Sequence, residues 1–233
     1  MTTYQQTMTV AYAQPSERAI FIRKTYGHLA AAILFFIIVE AVLLQPAIAR
    51  PILETFLSSQ YSWLIVLGGF MLVSYIANWW ANNQASKPMQ YLGLGLYVIA
   101  EAVIFVPLLF MAQLHMPDVI AQAGIITLTM FGGLTAVVFT TRKDFSFLGP
   151  ILSISGFIAL GVIICALVFG FNLGILFSAI MIVFASGAIL YDTSNILHRY
   201  NTNQYVAASL SLFASVALLF WYVLRLLMSL SRD

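Results

Sequence analysis

The chain has 233 residues, of which 62% are hydrophobic and only 8% charged, whereas soluble domains carry about 25% charged residues. This composition excludes an ordinary soluble domain, and a formal net charge of +2 from three dispersed lysines and seven arginines excludes a nucleic-acid surface. A single cysteine, Cys165, rules out an intramolecular disulfide.

Residues 1–24 read as a polar tail holding Pro15, without sustained periodicity, and are expected to be mobile to about Ile20. Residues 25–233 read as one membrane domain. The first apolar run, 26–44, is too long for a signal-peptide core, so 47-AIA-49 is not a cleavage site and the run is a retained span. Further runs lie at 61–80, 91–111, 119–140, 148–170, 173–197 and 205–230. Most reach the roughly 20 residues needed to cross a bilayer core, and none alternates as a barrel strand would. The predicted fold is therefore all-α, a polytopic seven-transmembrane-helix bundle embedded in the lipid bilayer. Arg18, Arg23, Lys24, Lys87, Arg142, Lys143 and Arg199 fall on one side, against Arg50 and Arg232 on the other. The positive-inside rule then predicts a cytoplasmic N-terminus and an outward C-terminus.

Four ionisable side chains fall inside the spans: Glu40, Glu101, Asp192 and Arg225. Glu40 and Arg225 lie toward the outer ends and are expected to pair or to snorkel. Glu101 lies about ten residues into its span, roughly 15 Å deep at helical rise, and needs a hydrogen bond or a proton there. Pro107 is expected to kink that helix and free backbone carbonyls. A structural and a functional role for Glu101 stay equally open. Asp192 shares a helical stripe with Ala185, Ala188, Asn195 and Arg199, small at one end and polar at the other. Small residues let a neighbouring helix approach, and the polar end admits water. A gating carboxylate is favoured over a purely structural one, because inward-facing membrane acids mark ion or proton pathways. If any metal ion binds, Asp192 and Glu101 are its candidate ligands.

Enzyme readings fail on specific residues. All three lysines lie in tails or connections, so no Schiff base is available for retinal. The last span holds no acid to complete an aspartyl dyad with Asp192. His28, His115 and His198 sit near span ends without a Gly-x-Ser-x-Gly elbow, and acids, His and Cys do not cluster at ligand spacing. The sequence predicts no catalysis and no cofactor.

The segments 140-TTRKDFSFLG-149 and 186-SGAILYDTSNI-196, with 207-AASLSLFASVALLF-220, resemble the Bax inhibitor-1 family, particularly its bacterial members, over most of residues 20–233. The resemblance implies seven helices with the last packed among the others, in the bacterial cytoplasmic (inner) membrane. Some members are pH-sensitive calcium leaks in which aspartates of spans six and seven share a proton. Asp192 matches the first, but Ser215 stands in place of the second and Leu218 in place of a usual asparagine. The charged partners of span two are absent from 61–80, and Val106 replaces a usual glycine. Two touching carboxylates titrate as a pair, whereas a serine hydroxyl simply donates a hydrogen bond. Two functions follow from the resemblance: a cation leak for calcium or protons, in which Asp192, Glu101, Ser215, Asn195 and Arg199 serve as gating residues, or a non-transporting modulator of a membrane-anchored ATP-dependent protease.

Overall fold

The computed structural model describes residues 9–59, 61–83 and 86–231. Eight helices follow in chain order: α1 (Pro15–Leu43), α2 (Pro46–Leu57), α3 (Ser62–Ala81), α4 (Lys87–His115), α5 (Pro117–Thr141), α6 (Leu148–Phe169), α7 (Ile175–His198) and α8 (Tyr205–Leu230). All but α2 are long and apolar enough to cross a membrane, which gives the seven spans that the hydrophobic runs predict. Short connections make consecutive spans antiparallel, so the bundle has a face bearing the N-terminal tail, here the tail face, and an opposite far face.

Helix starts follow local chemistry. Proline occupies the first turn of α1, α2, α4 and α5, where its missing N–H is not needed and its φ is already helical. At α4 the Ser86 hydroxyl also accepts from the Met89 N–H. Gly170 ends α6 with φ of 72°, a conformation that costs glycine little. α4 runs unbroken through the buried Pro107.

α8 lies at the centre of the bundle, against α1, α3, α4, α5 and α7. In its most apolar 18-residue window 72% of residues are buried, and 56% in α4, against 22% or less in the other spans. A helix apolar on every side with small residues along it suits that place, and Ala207, Ala208, Ser209, Ser215 and Ala217 are all buried. The Ser209 hydroxyl donates to the Thr25 carbonyl of α1 at 2.8 Å. Around α8 the rings pack edge to face, Phe105 lying 5.2 Å from Phe36 and 4.9 Å from Trp221. α6 is peripheral, resting mainly on α7 and touching α3 at few places.

Two expectations change. The tail is not mobile up to Ile20: α1 already begins at Pro15, and Thr9 pairs with Asn201 in an isolated antiparallel bridge. The fully buried Val10 donates its N–H to the Tyr200 carbonyl at 2.9 Å. Anchoring comes from these contacts with the α7–α8 connection, which no local pattern reveals; residues 1–8 lie outside the described residues. The second addition is α2, which is too short to span and buries Ala49 and Phe56 against α4 and α3, beside Val106, Phe110 and Trp63.

α3 and α4 approach closely at Gly93, where an added Cβ would lie 2.5 Å from the Ala77 carbonyl oxygen and 2.6 Å from the Ala81 nitrogen. Backbone atoms cannot yield as a side chain can. Gly93→Ala is expected to destabilise the protein by about 1–3 kcal/mol in thermal unfolding in detergent. Gly95→Ala, with nothing within 4 Å of the new carbon, should unfold like the parent.

Candidate functional site

Asp192 lies in the second half of α7, half-buried against α8. Ser215 Oγ of α8 donates to Asp192 Oδ2 at 2.6 Å, a charge-assisted hydrogen bond between the two helices. No hydrogen bond joins Asp192 to a second acid among the described residues. Asn195 is buried one turn nearer the tail face, with its Oδ1 unpartnered among the described residues. Arg199 is exposed at the α7 end. With Tyr191, Tyr200 and Gln204 these two residues line a cavity of about 240 Å³. The phenol of Tyr200 lies 3.0 Å from Ser211 Oγ, and burial pushes its pKa up to about 12.

A second cluster, which the sequence reading passed over, joins α7 to the α5–α6 connection. The Phe145 N–H donates to Ser194 Oγ at 2.9 Å, and the Ser194 hydroxyl reaches Asp144 Oδ1 at 3.4 Å. Asp144 Oδ1 also accepts the Ser146 N–H at 2.9 Å, and His198 Nδ1 lies 2.9 Å from the Ser194 carbonyl. Nearby, Gly149 admits the Tyr191 ring, which would lie 3.0 Å from a Cβ at that position. The segments 140–149 and 186–196, remote in sequence, thus form one latch. The signal available in sequence was that both stood out as motifs; their contact was not encoded in either alone.

Glu101 occupies a different place. It sits mid-helix in α4, 8% exposed, with Oε2 buried and unpartnered among the described residues. Tyr97, one turn earlier, is its polar neighbour and also lies within electrostatic range of Asp192. Glu101 lines a cavity of about 420 Å³ together with Arg225. Arg225 does not pair with Glu40 as expected: its Nη2 donates to the Leu173 carbonyl in the α6–α7 connection at 2.8 Å. Nor does Glu40 snorkel, being 4% exposed with both carboxylate oxygens buried and unpartnered among the described residues. Its position on the inward side of α1, in line with Phe36 and Ala32, holds it inside. No group of three or more His, Cys, Asp or Glu forms among the described residues.

Seven apolar helices, of which α8 is the central one, with acids turned inward, define a polytopic integral membrane protein. The sequence profile described as "Inhibitor of apoptosis-promoting Bax1" matches residues 18–232, and the chain belongs to that family, the Bax inhibitor-1 family. A BI1-like protein of Arabidopsis thaliana is 30% identical over 226 residues, covering 94% of this chain and 84% of the relative. Bax inhibitor 1 of Schizosaccharomyces pombe is 28% identical over 236 residues, covering 99% and 84%. The Escherichia coli protein named modulator of FtsH protease YccA is 42% identical over 122 residues, 51% of this chain and 54% of the relative. A relative of the same name from another Escherichia coli strain is described as an inner membrane protein, which with the seven apolar helices supports placement in the inner membrane. These relatives are named as inhibitors or modulators rather than enzymes.

Ser215→Ala is expected to lower stability by about 1–3 kcal/mol by leaving Asp192 without its donor, measured by thermal unfolding in detergent; Ser215→Thr should recover most of the loss. In the latch, the Ser146 backbone N–H, helped by the charges of His198 and Arg199, holds the Asp144 carboxyl below its usual range. A depressed folded pKa means the latch contributes fully above the ordinary aspartate value of about 3.9 and weakens as pH falls through the lower folded value. Amide exchange at residues 144–149, corrected for its intrinsic pH dependence, should rise over that interval in the parent and already be raised near neutrality in Asp144→Asn.

Proposed function

We propose that this chain is a non-transporting modulator of a membrane-anchored ATP-dependent protease in the bacterial cytoplasmic membrane, acting in membrane-protein quality control. The observation that carries this reading is the closure of Asp192 by the Ser215 hydroxyl. A carboxylate satisfied by a neutral donor holds α7 on α8 and gives no proton-sharing pair with which to open a path. The likeness to a relative named modulator of FtsH protease supports the partner class. With the N-terminus cytoplasmic and the C-terminus outside, as the basic residues suggest, the tail face meets the protease. That face presents the docked segment at Thr9 and Val10 and the Asp144 latch.

The second reading is a pH-influenced leak for calcium or protons, in which Asp192 and Glu101 hold the ion and Ser215, Asn195 and Arg199 shape the gate. Two acids inside the bundle, Asp192 and the buried Glu101 with its Oε2 unpartnered among the described residues, favour it. In that case flux through reconstituted protein depends on pH and drops in Asp192→Asn, whereas liposomes no leakier than protein-free ones remove it.

For the modulator, the full chain is expected to co-purify with the protease from mildly solubilised membranes and to slow degradation of a membrane substrate. Deleting residues 1–14, which leaves α1 intact, should reduce both. Association that survives the deletion unchanged takes the tail out of the account, and absence of association in the full chain sinks the proposal.

A further inference from the structure

The far-face cavity lies apart from Asp192 and its latch. It measures about 420 Å³, within the range of sites for small organic ligands. Trp63 and Phe70 of α3, Phe171 of the α6–α7 connection and Trp221 of α8 give it an aromatic wall, and its two charged groups are Glu101 and Arg225. Glu101 lies 14 residues before the end of α4 and Arg225 lies 5 before the end of α8. At the helical rise they differ in depth by roughly 13 Å. The cavity is therefore lined by a cation nearer the far face, by an apolar and aromatic wall, and by Glu101 deeper in.

Both polar ends are incompletely satisfied. Arg225 has one hydrogen bond, to the Leu173 carbonyl, out of five guanidinium N–H donors. Glu101 is more than nine-tenths buried with Oε2 unpartnered among the described residues, and an unpaired buried acceptor costs the desolvation of that group. A cation is a poor occupant, because a fixed arginine in the lining repels it. A plain hydrocarbon would leave both ends unmet. A linear molecule with an anionic group at one end and a hydrogen-bond donor at the other satisfies both across the apolar wall.

We propose that this cavity binds a single-chain amphiphile whose anionic head is held by Arg225 and whose far end donates a hydrogen bond to Glu101. The inference is independent of protease modulation and assigns Glu101 a ligand rather than an ion.

Trp63 and Trp221 line the site and report on it. With the full chain in lipid nanodiscs, a bromine-labelled decanoate should quench tryptophan fluorescence saturably, and this quenching should be lost in the Trp63→Phe/Trp221→Phe variant. Competition should rank ω-hydroxydecanoate above decanoate and decanoate above decanol, each step by at least about fivefold. Arg225→Gln should erase the preference for decanoate over decanol while decanol still competes. Glu101→Leu should erase the advantage of the hydroxyl while decanoate still competes, so that each variant carries its own check on folding. An ω-hydroxydecyl phosphate that competes better than the carboxylate would assign the head as a phosphate. Absence of saturable quenching overturns the proposal, as does quenching that survives loss of both tryptophans or a ranking that neither charge substitution changes.

Discussion

A carboxylate placed in the second half of an apolar helix must find its donor inside the protein, because acyl chains offer none. Asp192 finds it in Ser215 of the central helix α8. That single requirement sets which side of α7 faces inward, and so where Tyr191, Ser194 and Asn195 point. Once α7 is turned in this way, Ser194 meets the α5–α6 connection and Tyr191 meets Gly149. The latch at the tail face is thus a consequence of the same rotation that hides the acid.

Helix α8 makes this arrangement possible through small residues rather than charge. Ala207, Ala208, Ser209 and Ala217 let neighbouring backbones approach, and Ser209 and Ser215 each donate a hydrogen bond to another helix. Without a hydrophobic force to gather helices inside a bilayer, close packing and such bonds supply the association. The serine at position 215 therefore serves two ends, being small enough for the interface and polar enough to meet Asp192. A second aspartate there would keep the acid centre but add a shared proton to it.

The acids of this bundle are not equivalent. Asp192 is bonded and lies toward the tail face, Asp144 is exposed and held by backbone, and Glu101 lines a cavity on the far side with an oxygen unpartnered among the described residues. Tyr97 lies within electrostatic range of both Glu101 and Asp192. The bundle thus combines a tail face where Asp192 and Asp144 are hydrogen-bonded with a far-face cavity lined by Glu101 and Arg225.

Several features were legible in the sequence by itself because they are local. Span number follows from the length of apolar runs and the family from two motifs and their spacing, whereas the proline-led starts of α1 and α2 were not read from the sequence. The absence of a second aspartate opposite Asp192 was equally legible, and Ser215 stood at the matching position. What the sequence did not determine was rotation. In spans that are apolar on every face, lipid-facing and protein-facing sides carry nearly the same residues, so periodicity cannot say that α8 is central and α6 peripheral. Only tertiary packing decided that Glu101 and Arg225 share a cavity, that Arg225 bonds Leu173 instead of Glu40, and that Val10 docks on Tyr200. Each of these joins segments whose individual patterns are complete without the other, and only the folded bundle brings them within bonding distance.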